Sequence, residues 1–187
     1  MVPLNLGIVA SSMRGVTNSY ESIQTVTVGA GGQTTISFTT IPGTYKHLQL
    51  RGIALSASAG AVVYANYNSD TGANYARHRL VGAGGNPPNA FGASGQTTFS
   101  IFGDLTGTAA TPSPAGVVMD VLDYTNTNKL TTTRIFCGAD RNGSGEVELI
   151  SSLWNNTAAV TRIDLTIGGS VSSFAQYTQF ALYGIKG

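Results

Sequence analysis

The sequence predicts an all-β domain: an antiparallel two-sheet sandwich of jelly-roll type, preceded by an extended N-terminal arm. Three observations carry this. Short runs of alternating polar and apolar residues recur along the chain, turn clusters rich in Gly, Pro, Asn and Asp separate them, and no segment has an amphipathic helical period. About ten short strands joined by turns leave a sandwich as the arrangement that buries one face of each strand. The expected organisation is an arm over residues 1–19 and one β-domain over residues 20–187, long enough to bury a core without metals or disulfides.

The first elements read as a β-hairpin followed by a third strand. Residues 20–28 lead through the flexible Gly29-Ala30-Gly31-Gly32 loop to residues 33–41, and the Pro42-Gly43 turn leads to residues 45–54. In the second of these, Ile36 and Phe38 point one way and Thr35, Ser37 and Thr39 the other. In the third, Leu48 and Leu50 alternate with His47, Gln49 and Arg51. Further strands are expected near residues 61–68, 74–81, 97–103, 116–123, 131–138, 145–153, 160–168 and 177–185. Residues 82–94, with Gly84-Gly85-Asn86-Pro87-Pro88-Asn89, read as an exposed loop, and Pro112 and Pro114 bar regular pairing across residues 107–114. Residues 126–129, 142–145 and 155–156 read as turns. The expected core includes Ile36, Phe38, Leu48, Leu50, Ile163, Leu165 and Ile167.

Charged residues make up 10% of the chain and the net charge is +1. Phosphate binding needs a clustered basic surface, so nucleic acid is not an expected partner. The densest basic group, Arg77-His78-Arg79, reads as a solvated strand face with His78 on the opposite side. A surface this neutral, rich in Ser, Thr, Asn and Gly, suits being covered by neighbours in an assembly. The single cysteine, Cys137, excludes an internal disulfide and reads as a small hydrophobe in a strand. No stretch is long enough to span a bilayer, and the first ten residues lack the basic start of a signal peptide. Leu4, Leu6, Ile8 and Val9 make the arm apolar. Two packings are open to it, on its own domain or on another subunit or protein; the expectation is the second, with those four residues as the principal assembly interface and the sandwich surface adding to it.

Candidate chemistry is sparse. Two histidines in strand contexts and the absence of a Gly-x-Ser-x-Gly turn give little support to a hydrolase triad. Asp120, Asp123, Glu146 and Glu148 are the carboxylates that a glycosidase could pair, but Glu146 and Glu148 are expected on a solvated strand face opposite Val147 and Leu149. No catalytic, cofactor-binding or metal-ligating residue is therefore assigned. Asp140, Asn142 and Ser144 have the alternation that begins a calcium loop, yet Ser151 stands where the bidentate Glu belongs, so a plain turn is the reading. The run Asn66-x-Asn68-x-Asp70 is weaker. Tyr64, Tyr67 and Tyr75, with Trp154, are the candidates for contact with a ligand such as a sugar ring. Tyr64 and Tyr67 have opposite strand parity, which points to a mixture of core and rim roles.

Several segments resemble a recurring family of tailed-bacteriophage virion proteins, of the kind seen in cyanophages and other aquatic phages. They are Gly7-Ile8-Val9-Ala10-Ser11-Ser12, Tyr20-Glu21-Ser22-Ile23, Ile36-Ser37-Phe38-Thr39-Thr40-Ile41-Pro42, Tyr45-Lys46-His47-Leu48-Gln49-Leu50-Arg51-Gly52, Asn68-Ser69-Asp70-Thr71-Gly72-Ala73-Asn74-Tyr75 and Phe180-Ala181-Leu182-Tyr183-Gly184-Ile185-Lys186-Gly187. The resemblance runs nearly end to end. It implies a non-enzymatic structural component of a virion, in capsid decoration, neck or tail, without a cofactor, partnered by other virion proteins and by further copies of itself. It offers no catalytic motif to carry over and no membrane or nucleic-acid partner. The alternative expectation is a carbohydrate- or receptor-binding module of a tail fibre, contacting a host surface glycan.

Overall fold

Short alternating runs separated by glycine, proline and asparagine cannot bury an apolar face alone, so they pair into sheets and the sheets stack. The computed structural model describes residues 19–57, 60–105, 113–169 and 173–187, which form twelve strands and no helix. In chain order they are β1 Tyr20–Thr27, β2 Thr35–Phe38, β3 His47–Ala54, β4 Ala61–Tyr67, β5 Tyr75–Ala83, β6 Asn89–Gln96, β7 Phe99–Leu105, β8 Ala115–Leu122, β9 Thr131–Asp140, β10 Gly145–Trp154, β11 Ile163–Gly169 and β12 Gln179–Ile185. The expected arm residues Leu4, Leu6, Ile8 and Val9 lie outside the described residues.

Two antiparallel sheets result. The larger has the order β1-β12-β3-β8-β9-β10-β5-β6 and the smaller β2-β11-β4-β7. Within them β1-β12-β3-β8 faces β2-β11-β4-β7, the interleaved order of a rolled-up jelly roll, with the first strands of the chain paired to the last. The remaining four strands, β9, β10, β5 and β6, widen the larger sheet on one side.

The core lies between the sheets. Ile36, Phe38, Leu48, Leu50, Ile163 and Leu165 are fully buried there as expected, while Ile167, near the end of β11, is only half-buried against it. Each large side chain so placed contributes about 1.5–3 kcal/mol relative to exposure. Paired glycines let the rings in. Gly52 stands opposite Phe180 in the β3–β12 ladder, and a Cβ at Gly52 would overlap the Phe180 ring. Two of the segments that carry the phage resemblance, residues 45–52 and 180–187, are thus neighbours in the fold.

Two expectations fail. β1 and β2 do not form a hairpin; β1 pairs with β12 and β2 with β11, in different sheets. The Gly29–Gly32 turn reverses the chain, with Gly32 N–H donating to Gly29 C=O at 3.1 Å, but Gln33 then bridges to Phe174 and carries the chain across the core. A glycine loop specifies a change of direction, and pairing is decided by which distant strand covers each apolar face. Second, residues 82–94 are a loop only at their centre, the exposed 84–88 turn with Asn86 N–H donating to Ala83 C=O at 3.1 Å. β5 extends to Ala83 and β6 pairs back along it, Val81 to Asn89 through Arg77 to Ala93. The small residues of Asn89–Gln96 show no polar–apolar alternation because most of this strand is exposed on both faces.

Candidate assembly surface

The alternation in β10 suggests Val147 and Leu149 inside and the two glutamates in water. The structure reverses it. Glu148 is 1% exposed, on the inner side of the sheet, while Val147 and Leu149 face outward. Burying a carboxylate requires a charged partner. Arg79 of β5 provides it, with Nη1 3.3 Å from Glu148 Oε2, a close ion pair rather than a well-aligned hydrogen bond. Gly103 of β7 gives the pair room, since a Cβ at this position would overlap Glu148 Oε1. Arg77 and Arg79 therefore share the inner face of β5, not a solvated one, and His78 and Leu80 look outward.

This reversal builds the most distinctive surface of the domain. Leu149 stands opposite Phe136 on one side and Leu80 on the other, and Phe136 stands opposite Val118. The outer face of the large sheet thus carries a cross-strand row Val118–Phe136–Leu149–Leu80. One step along the strands, Ile53 and Val147 flank Gly116 and Gly138. These six apolar side chains are between 36% and 55% exposed, Phe136 and Leu149 most of all. The glycines leave a groove of about 560 Å³ between their neighbours, walled by Arg51, Ile53, Val118, Phe136, Val147 and Tyr183. The next row is polar: Gln49 Nε2 donates to Asp120 Oδ1 at 2.7 Å, and Arg134, Ser151 and His78 continue it. Arg51 closes the groove at one end, its guanidinium 5.2 Å from the Tyr20 ring centre and 5.6 Å from that of Tyr183. Strand parity alone places Ile53 with Gln49 and Arg51. Leu80 and Leu149 carry no such signal in their immediate neighbours; they face outward because Tyr75, Val81, Ile150 and Trp154 are buried on the opposite faces of β5 and β10, where the ion pair also lies.

The other candidates are scattered. Tyr67 and Tyr75 are buried and present no ring to a ligand; Tyr64 stays at the rim, half-buried, its ring close over Gly168. Tyr67 packs on Tyr75, Phe99 and Trp154, and its hydroxyl meets Thr133 Oγ1 at 2.5 Å. Burial pushes the Tyr67 phenol well up, and that of Tyr75 to about 12. Trp154 Nε1 donates to Asp70 Oδ2 at 2.7 Å, pinning the turn between β4 and β5 to the end of β10. Hydrogen bonds from Trp154, Asn74 and Gly72 hold the Asp70 carboxyl below the usual range against the effect of burial.

Cys137 points inward from β9, and burial together with the nearby Glu148 and Glu146 carboxylates pushes its thiol up, away from reactivity. His47 accepts the Asp123 N–H through Nδ1 at 2.9 Å at the rim of β3, and His78 sits on the outer face of β5. Asp140 Oδ1 accepts Asn142 N–H at 2.8 Å and Arg141 N–H donates to Ser144 C=O at 2.7 Å, which closes the β9–β10 connection as a turn. Among the described residues no group of three or more His, Cys, Asp or Glu is gathered as for a metal ion. Comparison with protein-family models, with curated proteins and with solved structures finds no match for the chain.

Proposed function

We propose that the protein is a non-enzymatic structural component of a bacteriophage virion, in capsid decoration, neck or tail, and that the outer face of its large sheet is the surface that other virion proteins cover. The observation that carries the reading is the uncovered row Val118–Phe136–Leu149–Leu80 with its glycine-floored groove. Apolar side chains aligned across four neighbouring strands suit a flat protein partner better than a small molecule. The sequence resemblance, which runs nearly end to end, supports the virion context, and the low charge of the chain suits a subunit enclosed by neighbours. The glycan-binding alternative is weaker. Its one exposed aromatic in the region of residues 82–95 is Phe91, beside Asn86 and Asn89, and Arg79 already stacks on that ring at 4.9 Å.

The test is localisation in intact particles by mass spectrometry and density, together with the double substitution Phe136→Gln and Leu149→Gln. The expected result is protein present in purified particles, and a folded variant that no longer joins them. Purified particles that lack the protein overturn the virion reading. Normal incorporation of the variant moves the contact away from this face.

A further inference from the structure

We infer that β6 is a pairing edge for a second copy of this chain, joined antiparallel about a two-fold axis at Phe91. The inference stands apart from the virion reading. A free sheet edge offers a row of main-chain donors and acceptors, and folded proteins blunt such edges with charge, bulges or shortness. Three of the four edges here are treated in this way. β1 carries Glu21 and a bulge between Ser22 and Gln24. β2 is only four residues long. β7 is irregular at two places against β4.

β6 differs. It is eight residues long, Asn-Ala-Phe-Gly-Ala-Ser-Gly-Gln, without a charge or a proline, and among the described residues it pairs only with β5. Its one irregularity lies toward its C-terminal end, beyond Ala93, so Asn89–Ala93 keep regular register. The side chains of Asn89 and Gln96 engage single main-chain groups near the two ends, Ala90 N–H at 3.2 Å and Ser94 C=O at 2.9 Å.

The regular segment is symmetric about its middle residue. Antiparallel pairing at Phe91 sets Asn89 opposite Ala93 of the second copy, Ala90 opposite its Gly92, and the two Phe91 rings side by side. Phe91 is 47% exposed and gains an aromatic cross-strand partner. Its existing neighbour Arg79 turns this into a ladder, Glu148–Arg79–Phe91 meeting Phe91–Arg79–Glu148, in which each guanidinium stays paired with its own carboxylate. With no charge on the strand itself, nothing on β6 repels its copy. The two large sheets become one continuous sheet, and β6, with both edges used, ends the assembly at two.

The experiment is the mass in solution of the full chain, by light scattering and sedimentation over a hundredfold concentration range. The expected wild-type mass is twice that of one chain at the upper end. Phe91→Asp, whose carboxylate can rest on Arg79, is expected to be monomeric, and so is Phe91→Lys, while an equimolar mixture of the two recovers the dimer. Ala90→Lys blunts the same edge without touching Arg79 and is expected to be monomeric. Phe136→Gln leaves the edge intact and is expected to stay dimeric. Far-UV circular dichroism and Trp154 emission confirm that each variant is folded. A monomeric wild type, a dimer that survives Phe91→Asp and Ala90→Lys, a mixture that stays monomeric, or a dimer lost on Phe136→Gln would each overturn the proposal.

Discussion

Glu148 and Arg79 meet inside the widened part of the large sheet, 3.3 Å apart beneath Gly103, on the faces of β5 and β10 that also bury Tyr75, Val81, Ile150 and Trp154. Removing one partner leaves a buried charge uncompensated, which costs about 3–5 kcal/mol, whereas an apolar replacement of both can be neutral. Arg79→Met is therefore expected to lower the stability by that amount, and Arg79→Met with Glu148→Leu to recover most of it. Urea unfolding followed by the emission of the single, buried Trp154 measures both. Equal loss in the single and double variants would mean that the pair is not coupled.

The glycines of the large sheet divide into two kinds. At Gly52 an added methyl group runs into the Phe180 ring, which is fully buried, so Gly52→Ala is expected to destabilise by about 1–3 kcal/mol through overpacking. At Gly116 nothing stands within 4 Å of the added atom, so Gly116→Ala is expected to be neutral or stabilising by up to about 1 kcal/mol. Thermal melts of the two variants side by side decide this, and a stable Gly52→Ala would contradict the packing described for β3 and β12.

Asp123 gives a pH signature. Hydrogen bonds from Lys129 and Lys46 lower its pKa from 3.8 to about 2, against a small opposing effect of burial. A carboxylate whose pKa is depressed on folding contributes stability above its unfolded value, and the contribution is lost as the pH falls through the folded one. The urea midpoint should thus decline between about pH 4 and pH 2, and Asp123→Asn should reduce that part of the slope while leaving the profile near pH 7 flat. The Lys–Asp contacts are at the surface, so salt at about 1 M is expected to weaken the effect. An unchanged acid slope in Asp123→Asn would assign the acid sensitivity to other carboxylates such as Asp70 and Asp164, which also sit below their ordinary values.

The sequence by itself determined the all-β class, the two-sheet sandwich, most strand positions and the core faces of β2, β3 and β11, because a side-chain period of two is a local property. Ile36, Phe38, Leu48 and Leu50 could be assigned to the interior from their immediate neighbours alone. It also separated Tyr64 from Tyr67 by parity, and the structure places one at the rim and the other in the core. Only the tertiary structure decided that β1 and β2 part into different sheets, because pairing depends on the distant strands β12 and β11. It also decided the edge strand β6, whose small residues carry no period when both faces are exposed. The orientation of β10 was the deepest of these decisions. Glu146-Val147-Glu148-Leu149 alternates equally well either way up; Ile150 and Trp154 further along β10, with Tyr75 and Val81 of β5, fill the core from the face that carries Glu148, and Arg79 and the space left by Gly103 accommodate its carboxylate there. A buried charge is tolerable only where a partner from another strand meets it, and that meeting lets the core face of β10 carry Glu148 while Leu80 and Leu149 turn outward.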